Sequence, residues 1–315
     1  MTALRSGHSG GGTGGRPRVA LAAAPRWPDL LEEGPLILAA LEAAGVEGST
    51  AVWSDPSVDW SGFDLVVANG AWDNIHHVDA YLAWVDTLER SGVPVANSPA
   101  TLRWNLDKRY LRDLEAAGVP VVPTAWVEHE GDGHGHSHGD AAPAPLTLEG
   151  EVVVKPSISG GGFRTARYQA HEHERAREHV AELVRSGRTA MVQPYQEAVD
   201  TEGEVGLIFL GGAFSHAIHK GPMIRRGAGA LDSLIDNQVV TPVSPSEAQL
   251  ELGRVALGAA EALFGPSTYA RVDTVTGAGG VPALLELELL DPMLFFVTDP
   301  ARAAHFAEVI AARLG

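Results

Sequence analysis

Three carboxylates near the end of the chain, Asp273, Glu286 and Glu288, have the types and spacing of a cation site. Glu286 and Glu288 lie two residues apart in LLELELLD, so on a strand both project from one face. Asp273 falls in the neighbouring strand-like run STYARVDTVTG and can join them. Three like charges among apolar residues repel one another unless a cation neutralises them. Mg²⁺ prefers such oxygen ligands and keeps its other positions for waters and phosphate oxygens. Arg271, two residues before Asp273, points to the same side, where it can stabilise charge on a transferred phosphoryl group. An exposed acidic edge strand is the plain alternative. Leu284, Leu285, Leu287, Leu289 and Leu290 argue against it, because they make the strand a buried one.

A second group fits an anion. In EVVVKPSISGGGF, Val152 to Lys155 read as a short buried strand ending at Pro156, followed by Ser157, Ser159, Gly160, Gly161 and Gly162. Such a loop can fold backbone amides over a phosphate, with Lys155 as a fixed charge at its base; a simple hairpin turn is the other reading. The lysine precedes the glycines, so this is not the GxxxxGK[ST] loop. Gln193, Pro194 and Tyr195 end another strand, where proline interrupts the ladder and exposes backbone groups able to pair with a planar base. Arg225 and Arg226, beside glycines in PMIRRGAGALDS, suit either a phosphate clamp or a surface loop. Lys108, in an Asn-x-x-Asp-Lys run, reads by itself as part of a solvated helix face.

The elements that must position these residues alternate in type. RVALAAA, STAVW around Val52, FDLVVANG and VPVANS read as strands separated by the helices PLILAALEAAGVE and VDAYLAWVDTLERSG, which implies a parallel α/β layer. Ligands in such sheets lie beyond the carboxyl ends of strands. That places Pro25 to Asp29, and Trp72, Asp73 and Asn74, at a rim where a substrate can lie; a turn with a packed indole explains Trp72 and Asp73 equally well. One helix is predicted over Thr101 to Gly118. Later come a strand, RTARYQ; a polar helix, His171 to Gly187; a hairpin turning at Gly211 and Gly212 and ending in His219 and Lys220; and a long helix capped at Ser244 or Ser246.

Composition narrows the class. The chain has 315 residues, a formal net charge of -17 and no cysteine. Its acidity argues against general nucleic-acid binding, and the missing thiols exclude disulfides, thiolate catalysis and cysteine zinc sites. The missing thiols fit a reducing, cytoplasmic setting, and no apolar run is long enough to span a membrane. Residues 1–17 read as a flexible tail. Residues 128–145, EHEGDGHGHSHGDAAPAP, read as a flexible insert whose His129, His134, His136 and His138 can pick up divalent metal without a rigid site.

Taken in order, these signals resemble the ATP-grasp superfamily of ATP-dependent ligases, from about Arg18 to the C-terminus. NLDK ending at Lys108 looks like the family's first nucleotide lysine, VVVKPSISGGG its second lysine and flexible loop, VQPY its adenine hinge and Glu204 in GEVGL its ribose position. RVD followed by LELEL resembles its arginine, first metal carboxylate and Glu-x-Asn pair, with Glu288 where many members have asparagine. ELELLDPMLFF, HAIHK and NLDKRYLRDL look most like the subgroup containing O-ureidoserine cyclo-ligase, of cycloserine biosynthesis. That subgroup often carries an arginine before a Trp-Asp-Tyr run. Here Asn69 and Asn74 replace the arginine and tyrosine, and Trp72 and Asp73 remain.

The resemblance implies a mixed α/β and α+β fold of three domains: a parallel-sheet N-terminal substrate domain over 18–122, a small central lid over 123–195 and a C-terminal metal-binding domain over 196–315. It implies ATP between the last two, held by Lys108, Lys155, Ser157, Ser159, Gly160, Gly161, Gly162, Gln193, Pro194, Tyr195, Glu204 and Arg226. Mg²⁺ or Mn²⁺ would sit on Asp273, Glu286 and Glu288, with Arg271 and Lys220 catalytic and Trp72 and Asp73 near the substrate. The implied activity is formation of an amide through an acylphosphate, between two molecules or within one, on a small amino-acid-like substrate, with a homodimer as the expected assembly. A phosphotransferase, or an ATP-binding protein without ligase chemistry, is the alternative.

Overall fold

Alanine- and valine-rich runs of six residues build the first layer of the computed structural model, which describes residues 15–128, 146–224, 226–227 and 239–315. Strand β1 (Arg18–Ala23) pairs in parallel with β2 (Glu47–Val52) on one side and β3 (Leu65–Gly70) on the other, and β4 (Val95–Ala96) extends the sheet past β3. The helices α1 (Glu33–Ala43) and α2 (Val78–Ser91) make the crossovers that parallel neighbours require. The α2 helix stops at Gly92, whose φ of 74° suits a residue without a Cβ.

The helix predicted over Thr101 to Gly118 is two helices, α3 (Pro99–Leu106) and α4 (Tyr110–Ala116). Asp107 causes the break. Its backbone is extended, and its carboxylate accepts the Arg109 amide at 2.9 Å and pairs with the Arg109 guanidinium at 2.7 Å. A side chain that bonds its own backbone two residues on competes with the helix. Lys108 is thereby turned out of the helical path, and its amide donates to the Ser157 carbonyl at 3.0 Å.

The second sheet is antiparallel. It runs β5-β8-β6-β7, with β5 (Ala125–Val127), β6 (Val152–Pro156), β7 (Ala166–Tyr168) and β8 (Ala190–Pro194). Helix α5 (His173–Arg185) lays Ala176, Val180 and Leu183 on Val152, Val154 and Val192 to close a small separate core. The third sheet, after the short α6 (Val199–Glu202), contains β9 (Glu204–Leu210), β10 (Ala213–Lys220), β11 (Val240–Pro242), β12 (Tyr269–Thr276) and β13 (Pro282–Glu288) in the order β11-β10-β9-β12-β13. Helix α7 (Glu247–Phe264), boxed at its start by Ser246 and Gln249, packs on β12 and β13.

Two features tie the first and third sheets together. The last helix, α8 (Ala301–Ala312), inserts Phe306 and Ile310 into a core that also holds Leu21 and Ile37, and α3 and α4 pack Trp104, Tyr110 and Leu111 against Leu257 and Leu287. Asn97 then donates to the carbonyls of Tyr269 and Leu289 and accepts the Thr268 amide. Asn105 likewise donates to Leu287 and accepts from Leu289 and Leu290. No helix among the described residues is long and apolar enough to cross a membrane. The histidines of the insert lie outside the described residues.

Candidate active site

The antiparallel pairing of β12 with β13 sets Arg271 opposite Glu288 and Asp273 opposite Glu286. Carboxylate oxygens of Asp273, Glu286 and Glu288 come within 4.8 Å of one another. Cations crowd the same corner. Lys220, at the end of β10, lies 2.8 Å from Asp273 and 3.6 Å from Glu204; Lys108 lies 2.7 Å from Glu286; Arg271 binds Asp273 at 3.0 Å and also Glu288. Burial pushes the Asp273 and Glu286 carboxyls up, but the positive neighbours outweigh it and hold both down. For Glu288 the balance reverses: burial pushes it up by more than Arg271 recovers, with repulsion from Glu286 and Asp273 adding to the rise. An all-oxygen set with one carboxylate left under-neutralised is what a hard divalent cation needs, so these three residues fit Mg²⁺.

Across the cleft, Lys155 leaves β6 fully buried and has no carboxylate within 4 Å among the described residues. Burial lowers its pKa, and Glu286, Glu204 and Asp273 act on it only from farther off. A desolvated cation in that position calls for an anion. The loop beyond it turns through Gly161 and Gly162, with φ of 55° and 75°, and is closed by bonds from Phe163 to Gly160 and from Thr165 to Gly162, both 3.0 Å. Ser159 offers its carbonyl to the Lys108 ammonium, so the loop is already tied to the carboxylate corner. Lys155 and the loop glycines, with Val153, Gln193, Pro194, Tyr195, Glu204 and Leu285, line one cleft.

A second cavity adjoins the first. Both are walled by Lys108, Ser159, Gly160, Gly161, Arg271, Glu286 and Glu288. Its remaining walls come from the loop after β3, with Trp72, Asn74 and Ile75, from the end of α3, with Asn105 and Leu106, and from Leu287 and the stretch after β13, with Leu290, Asp291 and Met293. The Trp72 indole donates to the Asp291 carbonyl at 3.0 Å, and Met293 accepts from Arg271 at 2.9 Å. Arg271 therefore touches the carboxylate corner and the wall of the second cavity at once.

Most residues singled out from the sequence meet here, and four do not act as expected. Ser157 is buried beside the cleft, its backbone holding Lys108 and Thr189 rather than facing the opening. Arg226 is exposed and pairs with Glu151 at 2.8 Å outside the cleft wall. Asp73 spends its carboxylate on the Trp53 indole at 2.6 Å, outside the second cavity, whereas Trp72 lines it. The Tyr195 amide, expected to be open, donates to the Glu151 carbonyl at 2.8 Å; its ring lies under the Arg167 guanidinium and its hydroxyl donates to Asp200. Lys108 is buried at the site rather than on a solvated face, because of the break at Asp107. Asp291 was missed: one carboxylate after a leucine run carries no spacing signal, and its position depends on contacts with Trp72 and Asn74, more than 200 residues earlier.

The geometry agrees with the comparisons. A family model described as "D-cycloserine synthetase DcsG, N-terminal domain" matches residues 19–97. The chain is 36% identical over 283 residues to the cycloserine biosynthesis protein DcsG of Streptomyces lavendulae, covering 89% of this chain and 93% of that one. It is similar to the crystal structure of D-cycloserine synthetase DcsG, with a TM-score of 0.83 and 32% identity over 95% of this chain and 100% of the other. The fold extends to D-alanine–D-alanine ligase from Bacillus anthracis complexed with ATP, with a TM-score of 0.62 at 14% identity, covering 95% of this chain and 97% of that one.

Proposed function

Since the chain belongs to the DcsG family and shares the fold of the ATP-grasp ligases, we propose that it joins a carboxylate to an amine at the cost of ATP, on an amino-acid-like substrate. The observation that carries this reading is the junction of the two cavities, where a buried unpaired lysine and a glycine loop face a triad of carboxylates. ATP lies in the first cleft, its base against Gln193 to Tyr195, its ribose by Glu204, and its phosphates by Lys108, Lys155 and the loop from Ser159 to Gly162. Asp273, Glu286 and Glu288 would hold Mg²⁺, which would supply charge stabilisation for the phosphates.

The substrate carboxylate then attacks the γ phosphorus, the bond to the β-phosphate oxygen breaks, and ADP leaves. Arg271 and Lys220 stabilise the charge on the phosphoryl group in transit. The amine next attacks the acyl carbon of the acylphosphate. A C–N bond forms, the bond between the acyl carbon and the phosphate oxygen breaks, and phosphate departs with the electron pair while the nitrogen gives up one proton. The loop from Ser159 to Gly162 keeps water from the acylphosphate meanwhile. Similarity to a cycloserine synthetase favours acid and amine within one molecule.

Mg-ATP-dependent release of ADP and phosphate across a panel of amino acids and amines, singly and in pairs, tests the proposal with mass spectrometry of the products. Turnover with one compound that loses the mass of water supports ring closure. Turnover only with a pair makes the enzyme intermolecular. ADP release with a stable phosphorylated product and no amide sinks the ligase reading in favour of a phosphotransferase.

A further inference from the structure

We propose that Asp291 is the ammonium-binding residue of the second cavity, its carboxylate oriented by Asn74 and its backbone by Trp72. The inference rests on the ligase reading and names how the substrate is recognised. Asp291 Oδ2 accepts from Asn74 Nδ2 at 2.6 Å, and the same Asn74 nitrogen donates to the Ala71 carbonyl at 2.8 Å, which fixes the amide. No lysine, arginine or histidine lies within ion-pair distance of Asp291 among the described residues. Burial pushes its carboxyl well up, with repulsion from Glu288 adding to the rise and Lys108 opposing it. An unpaired carboxylate that lines a cavity is stabilised by any cation that enters.

The rest of the wall narrows the choice of cation. Glu286 and Glu288 share the cavity but face Lys108, Arg271 and the metal position. Asn105 also lines it, yet both ends of its amide are consumed by Leu287, Leu289 and Leu290. Leu106, Leu290, Ile75 and Trp72 are apolar or, like the Trp72 indole, already bonded. That leaves a cavity with cations beside the phosphoryl site and one unpaired carboxylate. It complements a zwitterion whose acid group is directed to Arg271 and Lys108 and whose ammonium is held by Asp291.

The test is calorimetric titration of the full chain, loaded with Mg-ADP, with D-serine and with D-glycerate, which differ in the ammonium. Wild type should bind D-serine at least about tenfold more tightly. Asp291→Asn should bind the two within about twofold of each other while keeping its ADP affinity, and Asp291→Glu should recover part of the preference. Equal binding of both compounds by wild type overturns the inference without any variant, and so does an Asp291→Asn chain that keeps the preference. Binding of neither compound by the ADP-loaded wild type overturns it too, and with it the amino-acid-like substrate of the ligase reading.

Discussion

Lys155 and Asp273 are both buried charges of the cleft, and their partners differ. Asp273 sits between Arg271 and Lys220, so Asp273→Asn strips two buried cations of a counter-charge they share. It should cost roughly 3–5 kcal/mol of stability as well as activity, read by denaturant unfolding. Lys155 has no such partner, and Lys155→Met should leave the unfolding midpoint unchanged or raised while substrate-dependent ADP release falls by about 10²-fold or more. Unimpaired turnover in that variant would remove the phosphate role of Lys155. Glu33 gives a prediction in pH. Its carboxylate accepts the amides of Leu294 and Phe296 at 3.1 and 3.0 Å, and burial lifts its pKa from 4.5 to about 7 despite those bonds. The folded state therefore binds the proton more tightly than the unfolded chain. Its contribution is complete below pH 4.5 and is lost as pH rises towards about 7, roughly 3 kcal/mol in all. Stability measured from pH 4.5 to 8 should fall less steeply in Glu33→Gln than in wild type, and parallel profiles would refute the assignment.

Among the elements, the glycine loop and the broken helix carry the site. Gly162 occupies left-handed space, so Gly162→Ala should add about 1 kcal/mol of local strain and raise the KM for ATP with little change in melting temperature. The loop also touches the segment between β3 and α2, where Phe163 stands edge-on to His76 at 4.7 Å between ring centres. Protease cutting at the loop should slow with Mg-ATP bound, and cutting at an unchanged rate would argue against its role as a water shield. Strands with β-branched runs and the pairing of Glu286 with Glu288 on one face were legible from sequence because their periods are local. The division of the helix at Asp107 was not, since a capping aspartate and a helical one look alike until the chain beyond it finds a partner such as Ser157. Tyr195 was half legible: its place in the cleft follows from proline at a strand end, whereas its amide is taken by a neighbouring strand that no local pattern reveals.

Across the whole molecule, buried side-chain amides help the apolar cores to join the first and third sheets. Asn97 is the clearest case, with a φ of 61° that asparagine tolerates and three bonds to Thr268, Tyr269 and Leu289. Asn97→Ala should cost roughly 3 kcal/mol or more, because it strands two carbonyls and an amide in the interior. A thermal melt within a degree of wild type would mean that the joint is held elsewhere. The sheet formed by β5, β8, β6 and β7 has a core of its own and meets the rest at the cleft, so losses there should appear in nucleotide affinity before they appear in stability. The two adjoining cavities share the glycine loop and the carboxylate corner, but each has walls of its own: Gln193, Pro194 and Tyr195 belong to the first, while Trp72, Asn74, Ile75, Asp291 and Met293 belong to the second. On the proposed assignment, substrate choice rests on walls that the nucleotide cleft does not use. A lineage, or a protein engineer, can rewrite two short loops to give the enzyme a new substrate and leave its engine as it was.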